Sequence, residues 1–176
     1  MIENLDIYIG LLISILSIIF MDGNFGKYLI YYFIFDLLFF SKRVDIIIHH
    51  IIVIIMFSTH FVLQFNDFDY KQMFKVIILV EMSNIFLLCN KLLDKKYKKI
   101  KNLCNLLFVT TFIYFRIYYY YINALLPDSI VVQTMRKYTD NDIIIGSIFW
   151  SFYVLNLYWL SLIIYKLYNL TMRIKI

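Results

Sequence analysis

From Asp45 to Met56 the chain runs Asp-Ile-Ile-Ile-His-His-Ile-Ile-Val-Ile-Ile-Met, an apolar stretch interrupted by two adjacent imidazoles one turn inside its start. The apolar segment around it, Ile46–Phe65, is long enough to cross a bilayer core, which takes about 20 helical residues. In hydrocarbon every backbone polar group must be bonded within the protein, so the spanning element is a helix or a closed barrel. Barrel strands alternate polar with apolar residues. This run is continuous, so it reads as a helix. Ionisable groups inside such a helix are costly and normally face a protein interior or a wet cavity, which makes His49 and His50 the point around which the chain is organised.

Five more apolar segments follow the same logic: Leu5–Phe20, Tyr28–Phe40, Met73–Asn90, Leu103–Leu126 and Ile143–Leu167. The 176 residues are 62% hydrophobic and 20% aromatic, against about 45–50% apolar in a soluble domain. One proline and four glycines leave little room for hairpins or linkers. The expected architecture is therefore all-α, a single-domain multi-pass transmembrane bundle of about six spans. The first two segments are short against the usable range of about 17–25 residues. They read as two short spans joined by a tight turn at Asp22–Gly26, with a re-entrant or interfacial first helix as the alternative.

Charge sets orientation. Lys91, Lys95, Lys96, Lys98, Lys99 and Lys101 form the densest basic cluster, which the positive-inside rule places in the cytoplasm. With six spans, both termini and Ser41–Arg43 fall on that side, and Asn66–Asp69 and Pro127–Asp142 fall on the other. The net charge of +5 thus reads as topology, not as nucleic-acid binding; the same lysines also suit anionic lipid head groups. Cys89 and Cys104 flank the basic loop and are expected to remain thiols. The acidic start, Met-Ile-Glu-Asn-Leu-Asp, is unlike a signal peptide.

Four polar residues sit alone in other apolar segments: Asp36, Glu81, Arg116 and Asn156. Counting about 1.5 Å per residue places Asp36, His49 and His50 roughly 6–8 Å inside the cytoplasmic edge. Glu81 and Asn156 fall near the middle, and Arg116 somewhat deeper, toward the far side. Glu81 and Arg116 are expected to pair, since neither is tolerable alone at that depth. Asp36 is placed to orient one imidazole, as in a nucleophile–base–orienter set. Adjacent helical residues point about 100° apart, so one imidazole is expected to enter the cavity and the other to bond a neighbouring helix. Ser83, Asn84 and Asn156 read first as interhelical hydrogen-bonding residues. His60, eleven residues beyond His49, reads as interfacial. The Tyr118–Tyr121 run and Trp159 suit packing and interface belts better than a cofactor box, with Trp159 also counted among the cavity residues. All three histidines lie on one segment, which makes bis-histidine haem ligation between facing helices a weaker option, and a metal held by His49, His50, Asp36 and Glu81 has no spacing motif behind it. No nucleotide loop, hydrolase elbow or zincin motif occurs.

The order Phe35-Asp36-Leu37, His49-His50, Glu81-Met-Ser83-Asn-Ile-Phe86, Phe115-Arg116-Ile117 and a Trp159-bearing last helix resembles the TLC-domain family over roughly residues 25–170. That family includes ceramide synthases, the translocating-chain-associating membrane protein and several lipid-regulating membrane proteins. The resemblance implies a helical bundle of the endoplasmic reticulum or related membranes around a lipid-sized cavity. In ceramide synthases the paired histidines take part in moving an acyl group from acyl-CoA to a sphingoid amine, which would make His49 and His50 the reacting pair. Ceramide synthases also carry a His-Asp-x-x-Asp element where this chain reads Glu81-Met-Ser-Asn84, and that departure resembles the non-synthase branch.

Three functions follow as expectations. The first is an integral membrane protein that binds or regulates lipid, with Asp36, His49, His50, Glu81, Ser83, Asn84, Arg116, Asn156 and Trp159 around its cavity, membrane lipids as partners and no cofactor. The second is an acyltransferase using acyl-CoA, in which His49 or His50 acts as base or is transiently acylated and Asp36 assists. The third is a scaffold whose polar residues only pack helices.

Overall fold

The computed structural model describes residues 5–19, 23–40, 42–139 and 141–174. Eight α-helices follow in order: α1 Leu5–Ile19, α2 Gly23–Phe39, α3 Val44–Leu63, α4 Asp67–Val80, α5 Met82–Leu92, α6 Lys98–Thr111, α7 Ile130–Arg136 and α8 Asp142–Ile174. The described residues contain no strand. Four helical stretches are long and apolar enough to cross a membrane, 44–63, 67–92, 95–136 and 146–169, and two shorter apolar helices, 5–17 and 28–39, accompany them. This is the all-α membrane bundle that the apolar runs imply.

Local chemistry sets the boundaries. Asp45 in the first turn of α3 complements the positive end of the helix dipole. Gln64 takes a left-handed conformation, φ 52°, and stops α3. Asn66 then caps α4, its side-chain oxygen accepting from the Asp69 amide at 2.8 Å. The connection expected over Pro127–Asp142 contains a further helix, α7, capped by Ser129.

Two segments differ from uniform helices. The segment expected as one helix, Met73–Asn90, starts earlier, at Asp67, and breaks at Glu81. There ψ relaxes to −10° and the Glu81 amide donates to Ile78 O at 3.0 Å, a tighter three-residue step. The segment expected as Leu103–Leu126 begins as α6 and then widens into π-helix over Phe112–Tyr119 and Tyr121–Leu125. Stretches of π-helix are rare and collect at functional sites, and this one carries Arg116. A wider turn advances less per residue than an α-turn, so counting at α-helical rise overestimates the depth of Arg116.

The helices form a ring. α1 packs on α2 and α5, α2 on α3, α3 on α8, α8 on the π-helical stretch, and α5 on α6. α4 touches α1, α2, α5, α7 and the π-helical stretch, so it runs along the axis. Eight residues of α4 are buried; α5 buries one, Ser83, and α6 none. The break at Glu81 thus moves the chain from the axis to the wall. One half of the axis is filled by α4 with Met56, Phe57, Phe149 and Phe152, each at most 1% exposed. The other half is open.

Candidate functional site

That open half is a cavity of about 570 Å³, within the range of about 300–1,000 Å³ usual for ligand pockets. Residues of α1, α2, α3, α4, α5, α6, the π-helical stretch and α8 line it. Its walls are apolar, with Ile13, Leu29, Phe33, Leu88 and Ile163 among them. Asp6, Lys42, Arg43, Lys91 and Lys166 also line it, which places the start of α1 and the ends of α2, α5 and α8 together at its mouth. These residues come from segments expected on one side of the membrane.

Arg116 is the centre of the floor. Its side chain is 1% exposed. Nε donates to Ser83 Oγ at 2.9 Å and Nη1 to Asn156 Oδ1 at 3.0 Å. Nη2 donates to Glu81 Oε2 and to Asn84 Oδ1, both at 3.1 Å. Asn84 also bonds Glu81 through its own amide. The guanidinium carbon lies 5.4 Å from the Phe112 ring centre and 5.3 Å from that of Trp159. Arginine only donates, so the Asn156 oxygen must face it, and the Asn156 Nδ2 is left buried without a hydrogen-bond partner among the described residues.

The two histidines face two different carboxylates. His50 Nδ1 lies 3.1 Å from Asp36 Oδ2, and His49 Nε2 lies 3.5 Å from Glu81 Oε1. A carboxylate only accepts, which assigns the hydrogen to Nδ1 of His50. The longer His49–Glu81 contact fixes no hydrogen on His49, whose Nδ1 is buried and without a partner among the described residues. The expectation that one imidazole alone enters the cavity is corrected: both line it, with ring centres 5.4 Å apart. Their splay around α3 is accommodated because Asp36 approaches from α2 and Glu81 from the junction of α4 and α5.

Trp159, counted among both the packing or belt residues and the cavity residues, is a half-buried residue of the cavity lining. Its indole donates to Asp45 Oδ2 at 2.8 Å, and its ring centre is 5.1 Å from that of His49. Asp45 carries structural weight that its place at the edge of an apolar run did not signal: it also accepts from Arg43 Nη2 at 2.6 Å. Asp36, His49, His50, Glu81, Ser83, Asn84, Arg116, Asn156 and Trp159, drawn from five separate segments, all belong to this one network. The side chain of His60 lies outside the described residues.

Such an arrangement of isolated polar residues in this order is the pattern that the sequence shares with one family, and the wider comparison agrees: residues 11–165 match the family model described as the TLC domain. The chain belongs to the TLC-domain family. The match begins at residue 11, earlier than the resemblance read over 25–170, and so takes in most of α1. No individual curated protein and no solved structure matches this TLC-domain chain significantly. Membership makes it a membrane protein of a lipid-related family. Among its described residues no group of three or more His, Cys, Asp and Glu side chains is placed to hold a metal.

Proposed function

We propose that this TLC-domain protein binds a membrane lipid within the bundle and serves lipid homeostasis. One observation carries the reading: a cavity of about 570 Å³ combines apolar walls with a buried polar floor on which His49 Nδ1 and Glu81 Oε1 have no hydrogen-bond partner among the described residues. Unpartnered buried polar atoms are expensive, and a ligand or water that bonds them recovers that cost. A lipid meets both halves of the demand, with its head on the floor and its chain along the apolar wall. The positive-inside rule assigns the mouth, with Lys42, Arg43, Lys91 and Lys166, to the cytoplasmic side. On this reading the protein is a six-span protein of the endoplasmic reticulum or a related membrane, with both termini cytoplasmic.

A second reading, an acyltransferase, is favoured by charge. The floor holds one cation, Arg116, against two carboxylates, Glu81 and Asp36, among the described residues, and an ammonium head would balance it. A long-chain amine supplies that charge, the lysines at the mouth suit the phosphates of acyl-CoA, and His50 with Asp36 forms a base–orienter pair. Native mass spectrometry and lipid analysis of the purified full chain, followed by incubation with labelled acyl-CoA and a long-chain amine, separate the readings. Retained lipid without turnover supports the binder. Turnover lost in both His49→Ala and His50→Ala supports the enzyme. A chain that holds no lipid and turns nothing over overturns both.

A further inference from the structure

Trp159 joins the rim of the cavity to its floor. Toward the rim its N–H meets Asp45 at 2.8 Å, and Asp45 is bonded to Arg43, whose side chain is 65% exposed. Toward the floor its ring lies 5.1 Å from the His49 ring and 5.3 Å from the Arg116 guanidinium carbon. An indole has one donor and no acceptor, so Asp45 alone fixes the ring through a hydrogen bond. One face of the indole is taken by the Arg116 guanidinium.

Resting on the lipid-binding reading, we propose that Trp159, held by Asp45, determines which head groups the cavity accepts, and that it selects small heads carrying an O–H or N–H donor. The ring lines the same cavity as Glu81, whose Oε1, an acceptor, has no hydrogen-bond partner among the described residues. A primary amine or hydroxyl satisfies it. A trimethylammonium head is bulkier, carries no donor and leaves it bare. An unsatisfied buried polar group costs about 1–3 kcal/mol, equivalent to about 5- to 150-fold in affinity.

The test exchanges the purified full chain with vesicles holding equal amounts of phosphatidylethanolamine, phosphatidylglycerol and phosphatidylcholine, and then extracts the retained lipid. The wild-type chain is expected to retain the two donor-bearing lipids over phosphatidylcholine by about 5-fold or more. Trp159→Phe and Asp45→Ala should each lower that ratio toward one, while Asp45→Asn, which keeps an acceptor for the indole, should hold it. An unchanged ratio in Trp159→Phe, or a wild-type preference for phosphatidylcholine, overturns the assignment. A wild-type chain that retains no lipid at all overturns the lipid-binding reading itself, and this one with it. Should Asp45→Ala fail to fold, Trp150→Phe leaves Trp159 as the one indole of the two in the chain. Its emission should then be quenched by bromine-labelled phosphatidylethanolamine at concentrations where labelled phosphatidylcholine has no effect; equal quenching by both overturns the proposal.

Discussion

Arg116 is bonded to Ser83, Asn156, Glu81 and Asn84 and covered by the rings of Phe112 and Trp159. Removing one partner of a buried ion pair strands the other, at a cost of about 3–5 kcal/mol. Arg116→Leu should therefore lower unfolding stability in detergent by about that amount. Combining it with Glu81→Gln should cost clearly less than the sum of the two single changes, because the stranded charge is then gone. Simple additivity in that cycle would show that the two residues are not coupled. Asn156→Ala removes one neutral acceptor and should cost less, about 0.6–1.7 kcal/mol, the range measured for polar contacts between membrane helices. Individual partners such as these were legible in the sequence because a charge inside an oily run has to be met. Asp45 was not: at the edge of an apolar run, solvation and burial predict the same residue types, and only the fold decides between them.

At the scale of elements, the close approach of α2 to α4 depends on Gly26. A β-carbon built there would run into the Tyr70 hydroxyl and come within 3.2 Å of Phe74 Cε2. Gly26→Ala should therefore destabilise the bundle by about 1–3 kcal/mol through overpacking, measured by unfolding in detergent, and Tyr70→Phe in the same chain should recover part of the loss. Full stability in Gly26→Ala alone would show that the helices have room to part. The six apolar segments gave the order of the apolar helices from hydropathy, but not α7. Two further features stayed hidden. The break at Glu81 has no proline or glycine to announce it, and its cause is tertiary: the carboxylate is drawn to Arg116 and His49. The π-helical winding of 112–125 is likewise a response to packing, since it carries Arg116 into reach of partners on α4, α5 and α8, and hydrophobic periodicity does not report it.

For the whole molecule, the end away from the mouth is tied separately. Asp69, with a side chain 5% exposed, accepts from Lys137 Nζ and from the Tyr138 hydroxyl, both at 2.9 Å, and the Asn66 amide donates to that hydroxyl at 3.1 Å. These contacts fasten the start of α4 to the residues just after α7. Tyr138→Phe should cost about 1.5–3 kcal/mol, the worth of a hydrogen bond to a charged group, while leaving the lipid retained by the purified chain unchanged. A change in retained lipid would mean that the two ends of the bundle are coupled. The sequence placed Asn66–Asp69 and Pro127–Asp142 on one side of the membrane by counting spans, and the two segments are in contact here.

The cavity lining stops, among the described residues, at His49, Ile78 and Arg116, and beyond them the axis is solid with Met56, Phe57, Met73 and Phe74. A dead-end chamber cannot work as a conduit through the bilayer. A lipid held as proposed would leave by a face of the chamber that the described residues leave open, not through its packed end.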